Sequence, residues 1–141
     1  MLDEDLLFAW LQLGCVIDNQ RLVSQLSFNE ALVCGLLYRA DAPLTASDLC
    51  ARTHILKSQM NAILRSLEKK GYLQRSQSQE DRRQIHLRLL PEGVERYTAS
   101  HRRTLALVDR LIDSVGEEQI RALIPLLQTV TDHFDQIIKE V

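Results

Sequence analysis

The sequence is poor in the residues that build loops, cross-links and β-rich cores. Five glycines and three prolines in 141 residues leave little material for linkers, low-complexity segments or collagen-like repeats. Aromatic residues make up only 5%, so we expect a core of aliphatic side chains. Three cysteines form no Cys-x-x-Cys spacing, which argues against a disulfide framework. With 45% hydrophobic and 26% charged residues, the composition predicts one soluble, mainly α-helical domain.

The sequence also contains no pattern typical of a signal peptide or a membrane span. Three of its first five residues are acidic, whereas a signal peptide begins with basic residues. The charge-free stretch from Leu6 to Ile17 is shorter than the roughly 20 apolar residues that cross a bilayer. We therefore expect a cytoplasmic protein with free thiols and no membrane partner.

Charge is unevenly distributed along the chain. Residues 1–49 carry a net charge of −5, residues 50–103 one of +7 and residues 104–141 one of −4. A basic centre between acidic ends favours a polyanionic partner for the central segment. A solvated surface of mixed charge fits the same distribution, so the motifs have to decide.

Apolar spacing and capping residues predict six helices and two strands. The helices are expected at Leu2–Gln25, from a Ser27–Glu30 capping box to Ala40, at Ala46–Arg52 after a Thr45–Asp48 box, and at Lys57–Lys70, Glu92–Val115 and Gly116–Val141. Alternating residues predict strands at 72–75 and 85–89, joined by a polar loop. We expect Leu32, Leu36 and Leu37 to face the core, and Pro125 to kink or interrupt the last helix.

The fourth predicted helix has two chemically different faces. Met60, Ile63, Leu64 and Leu67 follow the i, i+3, i+4, i+7 spacing of a buried stripe. The opposite face carries Lys57, Ser58, Gln59, Asn61, Ala62 and Arg65. Amide side chains pair with adenine and guanidinium groups with guanine in the major groove of DNA. With the short third helix before it, this helix predicts a DNA-binding helix-turn-helix, although an ordinary solvated face is the alternative.

The two strands that follow predict a wing. Arg82 and Arg83 lie at the tip of the loop, where guanidinium groups suit a narrow minor groove, and Asp81 is expected to support Arg83. Arg75 is expected to touch phosphates, as are Lys69, Lys70 and Arg88. The alternative for these residues is solvated loop charge.

These residues resemble the MarR family (multiple antibiotic resistance regulators). The resemblance is carried by Leu44–Ala51, Lys57–Asn61, Leu67–Leu73, the Asp81-Arg82-Arg83 wing, Leu87–Leu89 and Pro91–Gly93. It covers residues 27–97 closely, and the flanking helices agree in length and order. Two positions depart from the family pattern, because Leu90 replaces a common Thr and Leu56 replaces a common capping Ser or Asp.

The resemblance implies a single domain over residues 1–141. A winged helix-turn-helix core at 27–90 would be flanked by dimerisation helices at 1–26 and 91–141. Such proteins are homodimers that bind pseudo-palindromic operators, usually as repressors. Many release double-stranded DNA when a small phenolic or lipophilic anion binds, or when a cysteine is oxidised.

Further candidate sites are less distinct in the sequence. An effector pocket is expected near Trp10, Gly14, Tyr38 and Tyr97, although aromatic residues there are also typical of a core. Cys15 is the redox candidate, while Cys34 and Cys50 are expected to pack as small hydrophobic residues. No catalytic arrangement, cofactor motif or metal-ligand spacing is present, so we expect a non-enzyme without a cofactor. A winged-helix protein-interaction module and a cysteine-based redox-sensing regulator remain the alternative functions.

Overall fold

The computed structural model describes residues 1–18 and 26–141, and in that part of the chain it contains six helices and two strands. These elements are α1 (Leu2–Asp18), α2 (Phe28–Arg39), α3 (Ala46–Thr53), α4 (Lys57–Lys69), β1 (Leu73–Gln77), β2 (Ile85–Leu89), α5 (Pro91–Val115) and α6 (Glu117–Glu140). The predicted mainly α-helical class and element order are confirmed. The expected end of the first helix, at residues 19–25, lies outside the described residues.

The chain forms two compact units, Met1–Thr104 and Leu105–Val141. The first unit contains the helix-turn-helix of α3 and α4 and the antiparallel hairpin of β1 and β2, paired from Leu73↔Leu89 to Gln77↔Ile85. Leu44 adds a single β-bridge to Leu87 and thereby fastens the start of the helix-turn-helix to the hairpin. The second unit consists of the end of α5 and all of α6.

Local hydrogen bonds explain where α2 and α3 begin. Ser27 Oγ accepts the Glu30 backbone N–H at 3.1 Å, and Glu30 Oε1 accepts the Ser27 N–H at 2.9 Å. Thr45 and Asp48 exchange the equivalent bonds at 3.2 and 2.9 Å. Both predicted capping boxes are therefore confirmed, and each cap stabilises its helix by about 1 kcal/mol.

The bounds of α4 also agree with the sequence pattern to within one residue. The helix begins at Lys57, although Leu56 at its N-cap position supplies no side-chain hydrogen bond. It ends at Lys69, and Gly71 then adopts a φ of +78°. This left-handed conformation favours glycine, which has no Cβ to clash with the backbone.

The hydrophobic core lies within the first unit and is mostly aliphatic. Its buried members are Leu26, Val33, Cys34, Leu44, Leu49, Met60, Leu64, Leu67, Leu73, Leu87 and Tyr97. One part of the predicted core is wrong, because Leu32 is 42% exposed, while Leu36 and Leu37 pack only partly against the core. The reason is the rotation of α2: Val33 and Cys34 occupy its inner face, which leaves Leu32 on another side of the helix.

The remaining helices differ from the core elements in exposing their apolar residues. Within the described residues, α1 and α6 bury no side chain. Helix α6 continues through Pro125, so the predicted interruption is not observed. A proline removes only one backbone donor, and the 24-residue helix continues on both sides of Pro125. None of the described helices combines the length and hydropathy that a bilayer span requires.

Candidate nucleic-acid interface

The core fixes which face of α4 meets solvent. Met60, Leu64 and Leu67 are fully buried, and Ile63 packs partly against the core, so the predicted inner face is confirmed. The predicted DNA-contacting residues lie on the other side of the helix: Lys57, Ser58, Gln59 and Arg65 are exposed and Asn61 is half-buried. The first turn of α4 contains no acidic residue. The positive end of the helix dipole therefore faces solvent beside a lysine, which favours an anion there.

Hydrogen bonds shape the turn between α3 and α4. Thr53 Oγ1 donates to the Leu49 carbonyl at 2.7 Å and accepts the Ile55 N–H at 3.2 Å. His54 follows α3 in the left-handed conformation, with φ at 62°, and its N–H bonds to the Cys50 carbonyl. These bonds set the angle at which the chain enters α4.

The tip of the wing is held by its own hydrogen bonds. Ser78 N–H donates to the Gln84 carbonyl at 2.9 Å, and Gln77 Nε2 donates to the Arg82 carbonyl at 2.8 Å. Asp81 Oδ1 accepts the backbone N–H of Arg83 at 3.0 Å. Asp81 thus supports the backbone of the wing, while the side chains of Arg82 and Arg83 are exposed to solvent.

Three of the basic residues expected at phosphates have partners within the chain. Arg75 Nε donates to Glu68 Oε1 at 2.6 Å and ties β1 to α4. Arg88 donates to the Gln74 side chain at 2.9 Å. Lys70 Nζ bonds to Glu30. A phosphate contact from any of these side chains competes with that partner, whereas Lys69 is simply exposed.

The partner of Lys70 is a buried carboxylate that was not anticipated from the sequence. Glu30 was expected only to cap α2, yet it also meets Ser66 and Lys70 at the end of α4. Burial by itself raises the pKa of Glu30, but the Lys70 ammonium and the hydrogen bonds from Ser27 and Ser66 outweigh it and hold this pKa below its ordinary value. The sequence offered no signal for this cluster, because its members are separated by 36 and 40 residues.

A cavity of about 300 Å³ lies between α2 and α5. It is lined by Phe28, Ala31, Leu32, Gly35, Leu36, Arg39, Tyr97, Ser100, His101 and Thr104. Tyr97 is thus the one predicted pocket residue that lines it, and Tyr38 packs against Tyr97 with a ring-centroid distance of 5.3 Å. Trp10 and Gly14 on α1 are not brought to this cavity. A side chain at Gly14 would meet nothing within 4 Å.

The three cysteines lie in different environments. Cys15 is exposed, Cys50 is half-buried and Cys34 is buried. Burial, helped by the negative charge of Glu30, raises the pKa of the Cys34 thiol to about 12. The Cys34 side chain therefore stays a protonated thiol at neutral pH and is a poor nucleophile. Among the described residues, no group of three or more His, Cys, Asp or Glu side chains could hold a metal ion.

A helix-turn-helix followed by an antiparallel hairpin defines the winged-helix class. Residues 24–84 match the MarR family. The chain is 30% identical over 102 residues to the uncharacterized HTH-type transcriptional regulator YdgJ of Bacillus subtilis (strain 168). The match takes in 72% of this chain but only 62% of that relative, so the chain spans less than two thirds of the relative's length.

Solved structures show the same architecture. The transcriptional repressor CouR, solved with a 23-mer DNA duplex, superposes with a TM-score of 0.81 at 26% identity, over 92% of this chain and 94% of that one. PcaV from Streptomyces coelicolor, solved with its natural ligand, gives a TM-score of 0.78 at 20% identity, over 90% and 89% of the two chains. With these findings, residues 24–84 of this chain match the MarR family, and the chain as a whole shares the winged-helix fold of solved transcriptional regulators.

Proposed function

We propose that this chain binds duplex DNA sequence-specifically as a homodimer and represses transcription. The observation that carries the proposal is the exposed polar face of α4 beside a wing tip that presents Arg82 and Arg83. CouR, which shares the fold at 26% identity, is a repressor solved with DNA. Such a protein would act in the cytoplasm and would need neither catalytic residues nor a cofactor.

Each element of the surface has a distinct role in this proposal. Gln59 and Asn61 on the first turns of α4 would read base edges in the major groove, with Arg65 suited to guanine. Lys57 and Ser58 would contact phosphates at the start of the helix. Arg82 and Arg83 would enter the minor groove, and Arg75 would reach the backbone only by leaving Glu68.

The homodimer is supported by the apolar surface outside the core. The exposed large side chains of α1 are Leu2, Leu6, Leu7, Phe8, Trp10, Leu11, Leu13 and Val16, and α6 exposes Leu123, Ile124, Leu126, Leu127, Val130, Phe134, Ile137 and Ile138. A second copy would cover such surfaces, since apolar patches of this extent are rare on monomers. The two-fold symmetry would then match a pseudo-palindrome with half-sites about 34 Å apart.

The cavity between α2 and α5 supports release by an effector. Arg39 and His101 supply donors at a wall otherwise formed by two aromatic rings, the hydroxyl-bearing Ser100 and Thr104, and small or aliphatic residues. This combination suits a small phenolic or lipophilic anion, because apolar contacts bury the ligand and the donors bind its charge. Binding there would reduce DNA affinity if it moved α2.

The proposal is tested by titrating the purified protein with DNA from the region flanking its gene, at several salt concentrations. We expect site-specific binding that weakens steeply with salt. Arg83→Ala should reduce the slope of log affinity against log salt concentration by about one. Asn61→Ala should lower the discrimination between bases at one position of the site by about 1–3 kcal/mol. Arg103→Ala, an exposed arginine on α5, is the control and should behave like the wild type.

Three results would contradict the proposal or change its details. Weak binding without preference over random DNA and without steep salt dependence would favour a protein-interaction module. Unchanged affinity in both Arg83→Ala and Asn61→Ala would remove these residues from the interface. If oxidation released DNA from the wild type but not from Cys15→Ser, regulation would depend on the exposed thiol.

A further inference from the structure

A directional contact joins the beginning of α2 to the end of α4. The Glu30 carboxylate, whose side chain is 6% exposed, receives four hydrogen bonds. Oε1 accepts the Ser27 N–H at 2.9 Å, and Oε2 accepts the Ser66 hydroxyl at 3.1 Å. Lys70 Nζ lies 2.9 Å from both carboxylate oxygens. The carboxylate is therefore fully satisfied by one group from the N-cap of α2 and two from the end of α4.

Among the described residues, α4 is otherwise held by the Glu68–Arg75 ion pair with β1 and by apolar contacts. Met60, Leu64 and Leu67 bury its inner face, but burial of apolar surface is non-directional and tolerates small rotations. Hydrogen bonds to a buried charge are directional and lose strength steeply when their angles change. The contact at Glu30 consequently restricts the rotation and axial position of α4 more than the core does.

The stability of the fold does not by itself explain such a contact. Buried ion pairs contribute little net stability, because desolvation offsets their attraction, and apolar replacements of similar shape are often neutral. Lys70 is still 37% exposed, which weakens its attraction further. What the pair supplies is a defined geometry at the helix that carries Gln59 and Asn61.

We propose that Glu30 is a positioning residue that, through Ser66 and Lys70, fixes the orientation of α4 and thereby sets sequence discrimination. This inference rests on the proposed function, in which α4 reads base edges. Discrimination requires bidentate hydrogen bonds in exact register, whereas phosphate contacts from the wing and helix ends tolerate small displacements. Loosening the Glu30 contact should therefore weaken binding to the preferred site and leave binding to other DNA almost unchanged.

The test uses a Glu30→Gln/Lys70→Met double variant of the full chain. Glutamine retains an acceptor for the Ser27 N–H and a donor for Ser66, and methionine retains most of the aliphatic stem of lysine. Affinity is measured for a duplex that the wild type selects from a random library and for a scrambled duplex of equal length. We expect the ratio of the two affinities to fall about tenfold or more, the discrimination of one base contact. Loss of the Lys70 charge lowers both affinities equally and therefore cancels from their ratio.

Two controls separate positioning from folding. Lys69→Met removes the neighbouring exposed lysine and should change both affinities equally, leaving their ratio as in the wild type. Lys70→Arg keeps an ion pair with Glu30 and should retain the wild-type ratio. Measurements are made at a temperature where circular dichroism shows every variant to be folded.

The outcomes are distinguishable. Wild-type discrimination in the double variant, or a parallel loss on both duplexes, would overturn the positioning role and leave the proposed function standing. If the wild type itself selected no preferred duplex, the proposed function would fail and the inference with it.

Discussion

Gly93 provides a sharp test of how the wing is joined to α5. It is buried in the first turn of α5, where a Cβ would lie 2.2 Å from the Tyr72 carbonyl oxygen and 2.9 Å from the Tyr72 Cα. Real Cβ contacts essentially never fall below 3.0 Å, and the neighbour here is backbone, so the two segments must separate. The same Tyr72 carbonyl accepts the Leu90 N–H at 2.9 Å. Separation would therefore strain the hydrogen bond that anchors Leu90, the residue before α5, to Tyr72.

The expected cost of Gly93→Ala follows from three opposing contributions. Alanine is favoured over glycine within a helix by about 1 kcal/mol. Overpacking costs about 1–3 kcal/mol, and loss of one hydrogen bond adds about 0.5–1.5 kcal/mol. We therefore expect the free energy of unfolding to fall by about 1–3 kcal/mol, which lowers Tm by roughly 3–10 °C in a chain of this size.

Thermal unfolding followed by circular dichroism at one fixed protein concentration measures this change. Gly14→Ala is the matched control, because it lies within α1 and its Cβ would meet nothing within 4 Å. That variant should match or exceed the wild-type Tm. A Gly93→Ala variant as stable as Gly14→Ala would refute the close approach of Tyr72 as the reason for glycine at this position.

Three further predictions concern caps, thiols and pH. Leu56→Ser should raise the free energy of unfolding by about 1 kcal/mol in urea titrations. The reason is that Leu56 has extended N-cap geometry, is 68% exposed and gives no side-chain cap. If the free energy of unfolding did not rise, α4 would begin elsewhere. Iodoacetamide at pH 8 should modify Cys15 rapidly and Cys34 only on unfolding, since burial raises the pKa of Cys34 to about 12, as mass spectrometry of the native protein can check. Because the pKa of Glu30 is depressed, its charge stabilises the fold above the ordinary glutamate value near 4.5, and this contribution disappears as pH falls through the folded-state pKa. The stability advantage of the wild type over Glu30→Gln in urea unfolding should therefore be complete near neutral pH and shrink below about pH 4.5; an advantage independent of pH would contradict the ion pair.

Short-range rules explain what could be predicted from the sequence. The capping boxes that begin α2 and α3 act across three residues, and the turn at Gly71 depends on one backbone angle. The buried stripe of α4 and the alternation of β2 follow from the periods of helix and strand. The basic wing tip and the polar face of α4 could also be predicted, because each is formed by residues that lie close together in the sequence.

Only the tertiary structure decided how these local elements meet. The rotation of α2 places Val33 in the core and leaves Leu32 exposed. The apolar spacing within α2 does not predict which of these two residues is buried. The cavity is lined by residues of both α2 and α5, which lie far apart in the sequence. Likewise, Glu30 bonds to Lys70, which is 40 residues away in the sequence. Capping, periodicity and turn geometry act within a few residues, whereas cavities and buried ion pairs depend on the packing of whole helices. The sequence by itself therefore determined the elements and the chemistry of the proposed DNA-binding face, and packing alone determined what holds that face in place.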